Sequence, residues 1–186
     1  MNAKGKLIGN KSSHIIFITG GTKSGKSEFA EHLAKDVNKL SYVALSEKNT
    51  NDKDWLEKIK LHQKRRPKEW KIIETTDLIS TISKENDPLL IDSIGGFVME
   101  SIERENKEWL TKMHSLIALL KQRKSLTFIV GEQVGWSLVS EYKIGNIYIE
   151  RIGELQKKIT KISKDNWLAI NGRAIKIDEI SLEIPT

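Results

Sequence analysis

Eight consecutive residues, Gly20-Gly21-Thr22-Lys23-Ser24-Gly25-Lys26-Ser27, have the types and spacing of a phosphate-binding loop, G-x-x-x-x-G-K-[ST]. Glycines let the main chain curl so that successive N–H groups face one anion. A helix starting near Lys26 adds its positive N-terminal end. Lys26 supplies a point charge to the β- and γ-phosphates of a nucleoside triphosphate, and Ser27 offers a hydroxyl to Mg²⁺. Asp92 ends the apolar run Leu89-Leu90-Ile91. A buried aspartate is costly unless it is paired or placed near a cation. Asp92 is therefore the candidate partner of Ser27 in holding Mg²⁺, directly or through water. An aspartate at a strand end is also a common cap for the next turn.

A second constellation centres on His62. Asn51 can cap a helix, Asp52 and Asp54 suit its first turn, and Pro67 stops it at Arg66. Trp55, Ile59 and His62 then share one face at i, i+4 and i+7, with Arg65 and Arg66 three and four residues beyond His62. An imidazole flanked by guanidiniums can attack or hold a phosphate. Nearby positive charge lowers its pKa and keeps a ring nitrogen nucleophilic at neutral pH. Taken alone, this pattern also describes a surface histidine among basic neighbours.

These residues must be positioned by the elements around them. Short β-rich runs are predicted as strands at Ile15–Thr19, Ser41–Leu45, Trp70–Ile73, Leu89–Asp92, Leu126–Val130, Asn146–Tyr148, Trp167–Ile170 and Ala174–Ile177. The last follows Asn171-Gly172, a hairpin signal. Helical spacing appears at Phe29, Leu33 and Val37; at Leu110, Met113, Ile117 and Leu120; and at Ile152, Leu155, Ile159 and Ile162. The alternation predicts an α/β fold, a mainly parallel sheet flanked by helices, closed by a C-terminal antiparallel edge strand. No internal repeat or linker interrupts residues 14–186, which are expected to form one domain. Residues 1–13 are expected to be a flexible extension.

Composition sets outer limits. With 38% hydrophobic and 30% charged residues in 186, the chain is globular rather than disordered or fibrous. It has no cysteine, which excludes a disulfide framework, a thiolate metal site and a cysteine nucleophile. The net charge of +6 suits an anionic ligand. The basic residues are interleaved with acids and form no stripe with exposed aromatics, so nucleic acid is not the expected partner. The early apolar run Ile15–Ile18 is far short of the ~18 residues of a membrane span, and a cytoplasmic location is expected. His14, His32 and His114 lack a second ligand at metal spacing and read as surface residues. Trp55, Trp70, Trp109 and Trp167 fall in amphipathic patterns and read as core or near-core. Trp136 follows Gly135 in a loop, where a ligand or a subunit contact is the alternative to solvent.

In combination the motifs resemble the bifunctional adenosylcobinamide kinase/adenosylcobinamide-phosphate guanylyltransferase family of cobalamin biosynthesis. The likeness runs from about residue 14 onward. It rests on Ile18–Ser27 with Phe29-Ala30-Glu31, Tyr42-Val43-Ala44, the stretch Asp52 to Ile59 with His62, Arg66-Pro67, Trp70 and Glu74, then Leu89–Asp92, Val130, Val134-Gly135, Gly153, Trp167-Leu168 and Gly172. The segment from His62 to Glu74 is the specific part, since a P-loop alone admits many families.

The resemblance implies a P-loop NTPase-like domain with two reactions. One phosphorylates the aminopropanol hydroxyl of adenosylcobinamide with ATP or GTP. The other passes GMP from GTP to that phosphate through a guanylylated histidine, which would be His62. It implies that Gly20–Ser27 hold the triphosphate, and that Gln63, Lys64, Arg65, Arg66 and Glu74, with Asp92, place the guanosine nucleotide. Ser46, Glu47 and Lys48 loosely match a nucleotide-contacting stretch. A homotrimer is implied as well.

The chain departs from the family pattern at Ser93-Ile94-Gly95-Gly96-Phe97, at Gly131-Glu132-Gln133, at Trp136-Ser137-Leu138-Val139 and at Gln156-Lys157. These departures bear on the corrinoid pocket and on whether both activities are kept, and leave the P-loop and His62 untouched. The residues also accommodate a P-loop kinase for another small acceptor, or a GTP-binding regulatory protein.

Overall fold

The computed structural model describes residues 12–45, 66–136 and 140–184. Ser46, Glu47, Lys48, Trp55, His62, Gln63, Lys64 and Arg65 lie outside the described residues. Among the described residues seven strands form one sheet: β1 Ile15–Gly20, β2 Ser41–Ala44, β3 Lys71–Glu74, β4 Leu89–Asp92, β5 Thr127–Glu132, β6 Asp165–Ile170 and β7 Arg173–Lys176. The described helices are α1 Lys26–Ala34, α2 Leu78–Lys84, α3 Gly95–Glu100, α4 Asn106–Gln122, α5 Lys143–Ile162 and α6 Ile177–Ile180.

The strand order is β3-β2-β4-β5-β1-β6-β7. All neighbours are parallel except β6 and β7, which pair antiparallel and form the expected edge. Asn171 and Gly172 both have positive φ, 49° and 74°, the conformation a two-residue hairpin turn requires.

Both faces of the sheet are covered, so its central strands read as continuous apolar runs. On one face α4 and α5 bury Trp109, Met113, Leu116, Leu120, Ile152, Leu155 and Ile159 against Phe17, Val43, Leu89, Ile91 and Ile129. On the other, α1 seats Ala30 and Ala34 among Ile18, Leu40, Tyr42, Trp70, Leu90, Phe128 and Val130. Small residues on α1 bring it close to the strands. Phe29, Leu33 and Val37, which mark the helical period, flank this contact half-buried. A fully buried Leu, Ile or Phe contributes roughly 1.5–3 kcal/mol, so these two layers carry the fold.

One expected strand is a helix. Asn146–Tyr148 lies inside the 20-residue α5. Its three residues look β-rich in isolation, but their register continues the spacing Tyr148, Ile152, Leu155, Ile159, Ile162 onto a single buried face. Long periodicity overrides the local propensity of Ile147 and Ile149. The predicted Leu126–Val130 strand begins one residue later and runs two residues further, because Gly131 and Glu132 pair with Thr19 and Gly20 of β1. Helices α2 and α3 are too short to announce themselves by period. Asp77 starts α2 by accepting a hydrogen bond from the Ser80 N–H at 3.0 Å.

Arg151 is the notable buried charge. Its guanidinium donates to the carbonyls of Ser101 (2.5 Å), Ile102 (3.1 Å) and Arg104 (2.6 Å) and lies over the Trp109 ring. It ties α5 to the segment between α3 and α4, which forms one wall of the site.

Candidate active site

The phosphate-loop motif joins β1 to α1, the placement its chemistry needs. Gly25 precedes the helix at φ 92° and Lys23 sits at φ 56°, so the loop turns sharply before the helical N–H groups begin. The Ser24 N–H donates to the Gly21 carbonyl at 3.3 Å, and Lys26 Nζ reaches back to the same carbonyl at 3.1 Å. Ser24 Oγ is buried without a hydrogen-bond partner.

The β6–β7 turn braces this loop. Gly172 N–H donates to the Ser24 carbonyl at 3.1 Å. A Cβ on Gly20 would lie 2.4 Å from the Ala169 carbonyl oxygen and 2.6 Å from Ser24 Oγ, so only glycine fits where β1 enters the loop. Phe29 meets Trp167 edge-on at 5.1 Å beneath it.

Beside the loop, β4 and β5 end at the same edge of the sheet. Asp92 closes β4 and Glu132 closes β5. The Tyr42 hydroxyl donates to Asp92 Oδ2 at 2.6 Å. Burial, and then the Asp92 carboxylate, push the Tyr42 hydroxyl well above the ordinary phenol range, while Arg66 pulls the other way. The Arg66 guanidinium lies 3.4 Å from the centre of the Tyr42 ring, and its Nε is 3.3 Å from Glu31 Oε1 on α1. Arg66 is thus drawn into a thread running Glu31–Arg66–Tyr42–Asp92. Glu74 is exposed at the end of β3, whose partner β2 also borders β4.

Glu132 was not among the residues expected to act. It pairs in register with Gly20. The Ser93 hydroxyl donates to Glu132 Oε1, while Oε2 is buried with no hydrogen-bond partner. Burial raises its pKa to about 7, against the opposing pull of nearby N–H groups and Lys26. Tyr148 on α5 faces it. Burial, and then the Glu132 charge, push that phenol above its ordinary range. Gln156 fastens the main chain here: its Nε2 donates to the Glu132 carbonyl at 2.7 Å, and its Oε1 accepts from Thr19 Oγ1 at 3.0 Å and Gln133 Nε2 at 3.1 Å. A carboxylate at a strand end was the available signal for Glu132. Tyr148 carried none once its segment was read as a strand.

Ser93, Glu132 and Tyr148 border a cleft of about 1040 Å³ whose other wall includes Leu45, Met99, Ile102 and Arg104. Glu100, Glu103 and Glu108 add acid to the same lining. The arrangement sets a basic, N–H-rich loop against a carboxylate-lined cleft of mixed polarity. Such a site can hold a polyphosphate at one end and a bulky uncharged or cationic acceptor at the other. His14, His32 and His114 are exposed as expected, Trp70 and Trp109 are buried, and Trp136 is 64% exposed. Among the described residues no helix is long and apolar enough to cross a membrane.

A profile of the family described as cobinamide kinase / cobinamide phosphate guanyltransferase matches residues 16–177. The bifunctional adenosylcobalamin biosynthesis protein CobU of Escherichia coli is 24% identical over 181 residues, spanning 88% of this chain and 99% of its own length. The protein of the same name from Salmonella typhimurium is also 24% identical over the same shares. CobP of Pseudomonas aeruginosa is 25% identical over 150 residues, 77% of this chain and 86% of that one. Among solved structures, a Pyrococcus horikoshii protein superposes with TM-score 0.52 at 7% identity, covering 97% of this chain and 95% of that one. An ATPase from the type III secretion system of pathogenic bacteria superposes with TM-score 0.51 at 11% identity, covering 83% of this chain and 50% of that one. These two likenesses concern the fold.

Proposed function

The chain belongs to the cobinamide kinase / cobinamide phosphate guanyltransferase family, and from that premise we propose that it phosphorylates adenosylcobinamide and then transfers GMP from GTP to the new phosphate through a guanylylated His62. It is an enzyme of cobalamin biosynthesis, a kinase and guanylyltransferase. The observation that carries the finer reading is the juxtaposition just described, a complete phosphate loop opening beside a cleft large enough for a bulky acceptor.

In this reading Gly20, Gly21, Thr22, Lys23, Ser24, Gly25, Lys26 and Ser27 enclose the triphosphate of GTP or ATP. The unpartnered Ser24 hydroxyl and the N-terminal end of α1 await anionic oxygens there. Ser27 and Asp92 would hold Mg²⁺. A hydroxyl and a carboxylate are hard oxygen donors, and Mg²⁺ commonly adds phosphate oxygens and water to one or two such groups. Tyr42 occupies Oδ2 of Asp92 and leaves Oδ1 for the ion. When bound, the ion would supply charge neutralisation at the phosphates. Arg66 steadies Tyr42, and through it Asp92. Glu74 at the end of β3, together with Ser46, Glu47, Lys48, Gln63, Lys64 and Arg65, would contact the nucleotide.

In the transfer half, a nitrogen of His62 attacks the α-phosphorus of GTP, pyrophosphate leaves, and a phosphoramidate forms. The acceptor phosphate then displaces His62. Positioning and charge neutralisation supply most of what such steps need. A cytoplasmic homotrimer is the assembly this reading carries.

The test is intact-mass spectrometry after incubation with GTP and Mg²⁺ in the absence of corrinoid. Wild type should gain one GMP, acid-labile and base-stable, and His62→Ala should gain none. Equal labelling of His62→Ala would remove His62 from the mechanism. GTP binding without any adduct would move the reading to a kinase for another small acceptor.

A further inference from the structure

We propose that Glu132 is the catalytic base of the phosphoryl-transfer half, taking the proton of the acceptor hydroxyl on its Oε2 atom. The proposal rests on the kinase reading above and assigns it a residue. Four observations place the carboxylate for this role. It stands in register with Gly20, the first residue of the phosphate loop, and the next residue's N–H, that of Gln133, donates to the Gly20 carbonyl at 2.9 Å. It also lines the cleft of about 1040 Å³, so it stands between that cleft and the loop's first residue. Its two oxygens are differentiated: Ser93 fixes Oε1, and Oε2 is left without a partner. Finally, a Cβ on Gly95 would lie 2.7 Å from Oε2 and 2.4 Å from the Tyr148 hydroxyl, so only glycine at this position lets the carboxylate and the phenol sit where they do.

The step balances without any further reagent. The acceptor oxygen attacks the γ-phosphorus of the bound triphosphate. The bond from that phosphorus to the β,γ-bridging oxygen breaks, and its electron pair leaves with the nucleoside diphosphate. The hydroxyl proton passes to Glu132 Oε2. The charged or titratable groups facing the carboxylate are Lys26 from the loop, Asp92 from β4 and Tyr148 from α5. Burial and Asp92 disfavour its charge, Lys26 favours it, and the balance leaves a base poised near neutral pH, where proton acceptance is most useful. Gln156 locks the Glu132 main chain to β1 and so fixes the distance between base and phosphate loop.

The experiment measures cobinamide phosphorylation with ATP and Mg²⁺ from pH 5 to 9 by mass spectrometry, for wild type, Glu132→Gln, Glu132→Asp and Ser93→Ala. Glu132→Gln should lose about 10²–10⁴-fold in kcat, with the KM for cobinamide within about threefold of wild type. The rise of wild-type kcat with pH should be absent from Glu132→Gln, and Glu132→Asp should restore part of it. Ser93→Ala, which only frees Oε1, should lose about tenfold with its pH profile displaced, and it decides the matter if Glu132→Gln does not fold. A Glu132→Gln enzyme within about fivefold of wild-type kcat would overturn the proposal. So would one that recovers full kcat at high Mg²⁺, which would make Glu132 a metal ligand. A wild-type protein that phosphorylates no corrinoid at any pH would remove the kinase reading and the base with it, an outcome distinct from a silent substitution in an active enzyme.

Discussion

Around the mouth of the phosphate loop the contacts all fall on main-chain carbonyls: that of Gly21 receiving Ser24 N–H and the Lys26 side chain, that of Ser24 receiving Gly172 N–H, and that of Ala169 close against Gly20. Along the neighbouring strands β5, β4 and β2 the same edge of the sheet is furnished by side chains, Tyr42 on Asp92, Ser93 on Glu132, Arg66 on Tyr42. The first construction depends on where glycine is and tolerates variety elsewhere. The second depends on the identity of each partner. A main-chain cradle suits a ligand part common to all nucleotides, the phosphates. A side-chain array suits the part that differs, the acceptor.

The comparison can be broken from either side. The largest effect should come from the one side chain the loop cannot do without. Lys26→Ala should lower both phosphorylation and GMP uptake by about 10²–10³-fold or more, read by product formation under saturating nucleotide. A loss below tenfold would mean that the backbone alone carries the phosphate site.

Next in size is a pH effect confined to the side-chain half. The native pKa of Glu132, about 7, stands above its ordinary value of 4.5. Between those limits the folded state holds a proton that the unfolded chain has lost, so stability should fall as pH rises through that window. The amount is on the order of 2 kcal/mol, allowing for partial exposure. Glu132→Gln should lack this slope and unfold later than wild type above pH 7. Urea melts at pH 5 and 8 check it, and parallel behaviour of the two proteins would deny the burial cost.

The smallest change is Tyr42→Phe. It removes the hydrogen bond to Asp92 while keeping the ring under Arg66, and should cost about 1 kcal/mol of stability. It should also weaken Mg²⁺ dependence several-fold without affecting nucleotide binding in the absence of the metal. Identical Mg²⁺ titrations would show that the thread through Arg66 is structural.

What could be read from the chain in advance follows the same division. The loop, the strand before it and the helix after it are contiguous, so spacing alone placed Gly20 to Ser27, and Asp92 was visible as a charge ending an apolar run. The β6–β7 hairpin was legible from Asn171-Gly172. The partners of Asp92 were not, because Tyr42 is fifty residues away in sequence and reaches it only when β2 pairs with β4. Glu132 stood in plain view as a departure from a family pattern, but its burial comes from α5 and the cleft wall, which no local window contains. Tyr148 was lost to a three-residue run that resembled a strand. The seven residues from Ser46 to Arg65 expected at the nucleotide stay as the proposal has them, outside the described residues.

The brace between Gly172 and the phosphate loop has a consequence for how the protein is made. Strand β1 lies between β5 and β6, neither of which leaves the ribosome until more than a hundred residues later. The loop that follows β1 is emitted before its mould and stays without it until β6 and β7 have followed. Closing contacts this distant in sequence slows folding. A nascent chain stopped short of Gly172 would carry every residue of the phosphate motif and still lack the hydrogen bond and the carbonyl wall that shape it. A product that stops before Gly172 should therefore hold nucleotide poorly, since a hairpin translated long after the motif completes it.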